Sequence, residues 1–389
     1  MARSASNDLF KYASLFISAL LLISSCTSID IESPYLAARP YQQYAAKADA
    51  WLLQSQQASG LLPYYFQPST ASAKPKNYRL GQLIAAERLA RLAKARSRAS
   101  AASEAQIVGM IKTWPNLSIQ TRTTQTQQVS LGEHALWLRV LLLRPDSTTQ
   151  RKQVERQAAS LRRSFNPQRG FPEKLSPDVV GSPFMQRYFT GQAALALFEH
   201  GDAMANAESL EIAGAALNWL ATHYPASDKN NFHPTLVPWH ALTIAAQYRI
   251  NGASPHLDTL FAMSDQLIDL QSDPEFPGRF FTEKAPNFGR PNVVRDALST
   301  LTLMASLDIA IDLGDRKRQK KYRKAIGLAL ANLRSLQYDH GVVTTFDQPM
   351  QAVGALRFRH HDEMIRLDGV VFGAEVFERA AILIQNGRL

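Results

Sequence analysis

Three short motifs, Leu80-Gly81-Gln82, Leu131-Gly132-Glu133 and Thr190-Gly191-Gln192, each open an Ala/Leu-rich amphipathic stretch of this 389-residue chain. Their glycines stand 51 and 59 residues apart, which fits one helical hairpin plus a loop of variable size. A repeat of this period is the mark of stacked or closed α-hairpins, with the long loops collected on one face. Helical periodicity predicts helices near 37–58, 79–97, 102–115, 131–143, 148–164, 190–200, 205–222, 236–250, 255–271, 292–312, 316–336 and 367–386. Connectors after the even-numbered helices are short, as in His200-Gly201-Asp202-Ala203 and Ile250-Asn251-Gly252-Ala253. Those after the odd-numbered helices are long: 59–78, 116–130, 165–189, 223–235, 272–291 and 337–366. Loops of such length within a compact domain concentrate function.

The two helix sets differ in composition. Even-numbered helices are apolar nearly all round, as in Ala193 to Phe198 or Leu298 to Ile309, the pattern of helices buried on both sides. Odd-numbered ones keep a charged stripe, as in Arg151 to Arg163. Inner apolar helices ringed by outer amphipathic ones predict an all-α fold, an (α/α)6 toroid of about six hairpins forming a single domain over 37–389. An open superhelical solenoid is the alternative. The phrases Gly60-Leu61-Leu62-Pro63-Tyr64-Tyr65, Asn77-Tyr78-Arg79, Leu131-Gly132-Glu133-His134-Ala135-Leu136, Tyr188-Phe189-Thr190-Gly191-Gln192 and Ile365-Arg366-Leu367-Asp368-Gly369 carry a resemblance. The chain resembles the six-hairpin (α/α) toroid proteins, which include glycoside hydrolases, polysaccharide lyases, N-acylglucosamine 2-epimerases and glucuronyl C5-epimerases. The likeness implies a saccharide at the mouth of the ring, but its motifs are architectural and do not select one chemistry.

The N-terminus reads as a targeting segment. Arg3 and Lys11 precede the apolar run Ala13 to Ile23, and Ile23-Ser24-Ser25-Cys26 resembles a bacterial lipobox. That resemblance implies a signal peptide over 1–25, lipidation of Cys26 and a short tether over 26–36. Thr27, which is not Asp, by resemblance to enterobacterial lipoproteins implies the outer membrane, so the expected location is the bacterial cell envelope, lipid-anchored and facing the periplasm. Cys26 is the only cysteine, so with it acylated no thiol remains for a disulfide or a thiol nucleophile. Residues 1–25 carry Arg3, Lys11 and Asp8, so their loss lowers the formal net charge from +10 to +9. A basic surface favours anionic partners such as acidic polysaccharide or phospholipid headgroups, and envelope placement argues against nucleic acid. Part of the surplus sits in Arg316 to Lys324, which reads as a solvated outer-helix face.

One polar residue recurs in the first turn of each inner helix: Gln82, Glu133, Gln192, His240, Asp296 and Asp368. In a toroid these positions surround the mouth. A carboxylate there also suits the helix dipole or an N-cap, as with Asn77 or Asp296. The candidate acids and bases are Glu133, Asp296 and Asp368, with Tyr188 or His240 as proton partner. Candidate substrate-binding residues are Arg79, Gln82, Gln192, Arg295 and Arg366, whose guanidinium groups suit carboxylate or sulfate, and Tyr64, Tyr65 and Trp239, whose faces suit a sugar ring. Gln82 and Gln192 stand where an acid would be needed for proton shuttling. His360-His361-Asp362-Glu363 and Asp339-His340 contain ligand-type residues, but consecutive residues of a loop cannot all face one ion. They read as a mobile polar loop, with no metal and no cofactor implied. The expectation is an envelope lipoprotein that binds and processes an anionic polysaccharide by hydrolysis, elimination or C5 epimerisation. The alternative is a non-catalytic component of polysaccharide export or assembly.

Overall fold

Inner helices begin where the long loops end, and they do so around a closed ring. The computed structural model describes residues 37–389 apart from 75–77, 95–96, 116–129, 145–146, 173–181, 226–227, 284–287, 342, 345 and 347. Cys26, the signal segment, the tether and Asn77 lie outside the described residues. Twelve α-helices carry the rest: α1 (Ala38–Gln54), α2 (Arg79–Ala93), α3 (Ser97–Thr113), α4 (Leu131–Leu143), α5 (Thr148–Ser164), α6 (Pro183–Met204), α7 (Ala207–His223), α8 (Val237–Asn251), α9 (Leu257–Asp269), α10 (Val293–Asp312), α11 (Arg316–Leu336) and α12 (Leu367–Gln385). Burial follows the predicted alternation. Inner α10 buries fifteen of its 20 residues, whereas outer α5 buries six of 17.

The even-numbered helices pack in sequence, α2 on α4, α4 on α6, α6 on α8, α8 on α10 and α10 on α12, and α12 returns to α2. The ring is therefore closed, and Ala38–Leu389 is one compact unit. Outer α3, α5, α7, α9 and α11 each fold back on the inner helix before them, while α1 lies on α12. The sixth hairpin is thus assembled from the two ends of the domain. Arg88 of α2 clasps that junction. Its Nε and Nη2 donate to Asp49 of α1 at 2.8 and 2.8 Å, and its Nη1 donates to Glu378 of α12.

The repeated glycines mark where inner helices approach most closely. A Cβ on Gly132 would overlap the Phe189 ring of α6, and one on Gly191 would stand 2.9 Å from Trp239 Cβ of α8. Only a residue without a side chain fits such a crossing. The largest boundary correction is α6, which begins at Pro183 rather than 190. Pro183 at the first helical position is pre-set for a helix start. Arg187 and Tyr188 consequently stand on a helix and not in a loop.

The all-α expectation omits a small sheet at the mouth. Strands β1 (Tyr65–Gln67), β2 (Ser72–Lys74), β3 (Arg357–Arg359) and β4 (Asp362–Arg366) form an antiparallel sheet in the order β2-β1-β4-β3. Tyr65 pairs with Arg366 and Phe66 with Ile365, so the first and last long loops are laced together. The His360-Glu363 segment is the turn and start of this β3–β4 hairpin, not a mobile loop. Buried Phe358 and Ile365 anchor its inner face.

Candidate functional site

The sheet and the first turns of α2, α6, α8, α10 and α12 enclose a cleft of about 770 Å³. Five of six inner helices thus aim their N-termini at it, and their dipoles favour negative charge there. On α6 the spacing Phe184, Tyr188, Gln192 puts three lining residues on one helical face. The early start at Pro183 was the signal for that face.

Asp368, in the first turn of α12, is the cleft's carboxylate. Arg366 Nε and Nη2 donate to Asp368 Oδ1 and Oδ2 at 2.6 and 3.0 Å, a bidentate clamp. Tyr64 Oη donates to Oδ2 at 3.2 Å. The Tyr64 ring meets Tyr65 edge-on at 4.6 Å and Tyr78 at 5.0 Å, which gives the cleft an aromatic wall. Tyr188 faces Trp239 at 6.1 Å, ring to ring. Burial pushes the Tyr188 phenol up to about 12, with Asp368 adding in the same direction, and burial and Asp368 raise Tyr64 further. Both phenols are proton donors at neutral pH.

Two arginines near the cleft have no ion pair among the described residues. Arg295, which lines it, donates from Nη1 to the Gly289 carbonyl at 3.3 Å and from Nη2 to that of Phe288, while its Nε has no partner. Arg187 lies over the Tyr224 ring at 4.5 Å, again with an unpartnered Nε. Each is 8% exposed. Burial pulls Arg295 down, and Arg187 down to about 10. Asp296 offsets part of the cost at Arg295 without forming a close ion pair, and a ligand anion would offset more. Gln192 adds a buried, unpartnered Oε1 on the same cleft.

The other members of the expected ring do not reach this cleft. Gln82 is fully buried: its Nε2 donates to the Leu62 carbonyl at 2.6 Å, and its Oε1 accepts from Leu62 N at 3.1 Å. It pins the loop after α1 and cannot meet a ligand there. Glu133 completes a capping box on α4, accepting from Ser130 N at 2.7 Å while its own N–H reaches Ser130 Oγ at 3.3 Å. Arg79 donates from Nη1 to the same Glu133 Oε2 at 3.3 Å and lies over Trp114, while its Nε has no partner among the described residues. His240 is 5% exposed with Nε2 3.3 Å from the Arg187 carbonyl, and burial lowers it to about 3, which leaves it neutral. Trp239 is buried behind Tyr188. Asp296 is not an N-cap, because Asn292 caps α10 by accepting from Arg295 N at 3.1 Å. Asp296 accepts instead from Phe280 N at 2.9 Å and from Asn332 Nδ2 at 3.0 Å, and burial raises it to about 6. It borders a second cavity of about 390 Å³.

These placements give Glu133 a measurable structural role. Glu133→Ala is expected to lower stability by about 1 kcal/mol through loss of the cap, read from chemical denaturation. Glu133→Gln, which keeps an acceptor oxygen, should lose less. Equal losses would contradict the capping account.

No family model and no curated protein matches the chain. Solved structures do. A D-mannose isomerase superposes with a TM-score of 0.67 at 13% identity, covering 89% of this chain and 98% of that one. An unsaturated glucuronyl hydrolase specific for heparin gives 0.62 at 11%, covering 89% and 98%. An α-1,6-mannanase from Salegentibacter sp. gives 0.61 at 11%, covering 88% and 99%. The fold is the six-hairpin (α/α)6 toroid, closed as a ring and not extended as a solenoid.

Proposed function

We propose that the cleft binds a saccharide, prefers one bearing carboxylate or sulfate groups, and transfers a proton on it. The observation that carries this reading is Asp368, set among tyrosines in a cleft that Arg295 also lines, a buried guanidinium with no ion pair among the described residues. Aromatic faces suit the C–H side of a sugar ring, and the free Arg295 donor suits an anionic substituent. The neighbouring folds support it, since inactive variants of the mannanase were solved with α-1,6-mannotriose and α-1,6-mannotetrose.

Within this reading, Asp368 accepts a proton from the sugar and Tyr188 or Tyr64 donates one. Hydrolysis by a carboxylate pair needs a second acid roughly 5–9.5 Å away. Asp368 is the one acid lining the cleft among the described residues. Elimination, epimerisation or isomerisation therefore suits the residues better. A non-catalytic holding role is the second reading, favoured by the three hydrogen bonds that already satisfy Asp368.

A glycan array probed with the soluble form, starting after Cys26, tests the assignment. Anionic oligosaccharides should be retained, and Arg295→Gln should weaken them about tenfold, the scale of one charge-assisted hydrogen bond, while sparing neutral ones. Retention of no saccharide would remove the reading. We further propose that Cys26 is acylated after removal of 1–25, anchoring the domain at the outer membrane on its periplasmic side. Cys26→Ser should leave an unprocessed, unlipidated precursor by mass spectrometry. A mature N-terminus at another residue would refute the anchor.

A further inference from the structure

The second cavity lies on the other side of the α10 N-terminus from the main cleft, and Asn292 lines both. Three arginines reach it: Arg279 from the loop before α10, Arg290 from the approach to that helix, and Arg359 from β3. Their pairing is unequal. Arg279 is matched by Asp273 and lies between the rings of Phe276 at 4.8 Å and Phe281 at 5.2 Å. Arg290 and Arg359 form no ion pair among the described residues. Arg359 rests over the Phe358 ring at 4.9 Å, and its Nε is buried without a partner.

The remaining walls are held in place by hydrogen bonds. Asp296 is occupied by Phe280 N and Asn332. Asn332 Oδ1 in turn faces His360 Nε2 at 2.8 Å, and the His360 ring stacks on Phe276 at 3.7 Å. Asp362 is turned to Met364 N at 2.9 Å, and His361 lies 3.4 Å from Glu275. The acids therefore have partners within the protein, whereas Arg359 keeps a buried, unpartnered Nε and the exposed Arg290 has no ion pair among the described residues.

We infer that this cavity is an oxyanion-binding site, built from Arg290 and Arg359 with Arg279 behind them, that takes a sulfate, phosphate or carboxylate group. Planar guanidinium groups match such oxygens bidentately, and the N-terminal dipole of α10 adds to the attraction. The oxyanion has two possible sources: a free ion, or a substituent on a saccharide that also occupies the main cleft. The second source rests on the function proposed above; the site itself does not.

Calorimetric titration of the intact protein with sodium sulfate, against sodium chloride at matched ionic strength, tests the site. Wild type should bind sulfate, and the double variant Arg290→Gln, Arg359→Gln should bind it at least about tenfold more weakly, with an unchanged melting temperature in chloride. Arg295→Gln, in the main cleft, should weaken sulfate binding by less than the double variant does. Absence of sulfate binding by wild type, or equal binding by the double variant, would overturn the inference. A heparin-derived tetrasaccharide separates the sources. If Arg295→Gln and the double variant both weaken it, the cavity is a subsite of one groove. If the double variant affects sulfate alone, the site serves a free oxyanion.

Discussion

If the cleft processes a saccharide as proposed, Asp368→Asn is expected to lower turnover by about 10²- to 10⁴-fold, the usual share of a positioned acid or base. The amide keeps the shape of the carboxylate and still accepts from Tyr64, but it neither takes a proton nor balances Arg366. The Arg366 side chain is 21% exposed, so the stranded charge is partly hydrated and the fold survives. Binding should separate the two readings of the site. A catalytic cleft loses turnover while it keeps most of its affinity, since Tyr64, Tyr65 and Tyr188 still present their faces. A cleft that only holds its ligand has no turnover to lose. Unchanged turnover in this variant would remove Asp368 from the chemistry.

The largest effect on stability is expected where α1 meets the C-terminal halves of α2 and α12. Asp49 and Arg88 are each 3% exposed at the side chain, and two 2.8 Å bonds join them. Burial works against the Arg88 charge, but the hydrogen bonds and charge of Asp49, with Glu378, raise its affinity for the proton well above the ordinary value. Asp49→Ala leaves that guanidinium with one partner, Glu378, whose side chain is 49% exposed. Removing one member of a buried pair costs about 3–5 kcal/mol. The loss should appear as a lower denaturant midpoint with an unchanged slope. Asp49→Asn, which retains an acceptor, should fall between. A loss below about 1 kcal/mol for Asp49→Ala would mean that Arg88 finds water or Glu378 sufficient.

Helix number, order and the inner–outer alternation were legible because packing on two sides strips a helix of its polar face, and sequence records that directly. The starts of α4, α5 and α11 are where periodicity and capping residues place them. The cleft was legible only in part. Asp368, Tyr188, Gln192, Arg295, Arg366, Tyr64 and Tyr65 do converge on it. Gln82, Glu133, His240 and Asp296 share the same nominal helix position yet point elsewhere, because register counts residues from a helix start and does not fix rotation about its axis. Glu133 belongs to a capping box that Ser130 announced in the sequence. The β3–β4 hairpin was hidden for a different reason. His360, His361, Asp362 and Glu363 drew attention as possible ligands, while the alternation around Phe358 and Ile365 carried the strand signal.

Ring closure also limits how this protein can change. An open array of hairpins grows or shrinks by one unit and offers a fresh end each time. Here α12 meets α2, and α1 fills the place beside α12. Losing one hairpin would leave neighbouring inner helices a full helix diameter apart, and gaining one would have to widen every crossing, including those set by Gly132 and Gly191. The count of six is therefore frozen, and length can vary freely only in the segments between hairpins. Among the described residues Tyr64, Tyr65, Thr235 and Arg366 of those segments line the cleft, so changes of length there fall at its rim.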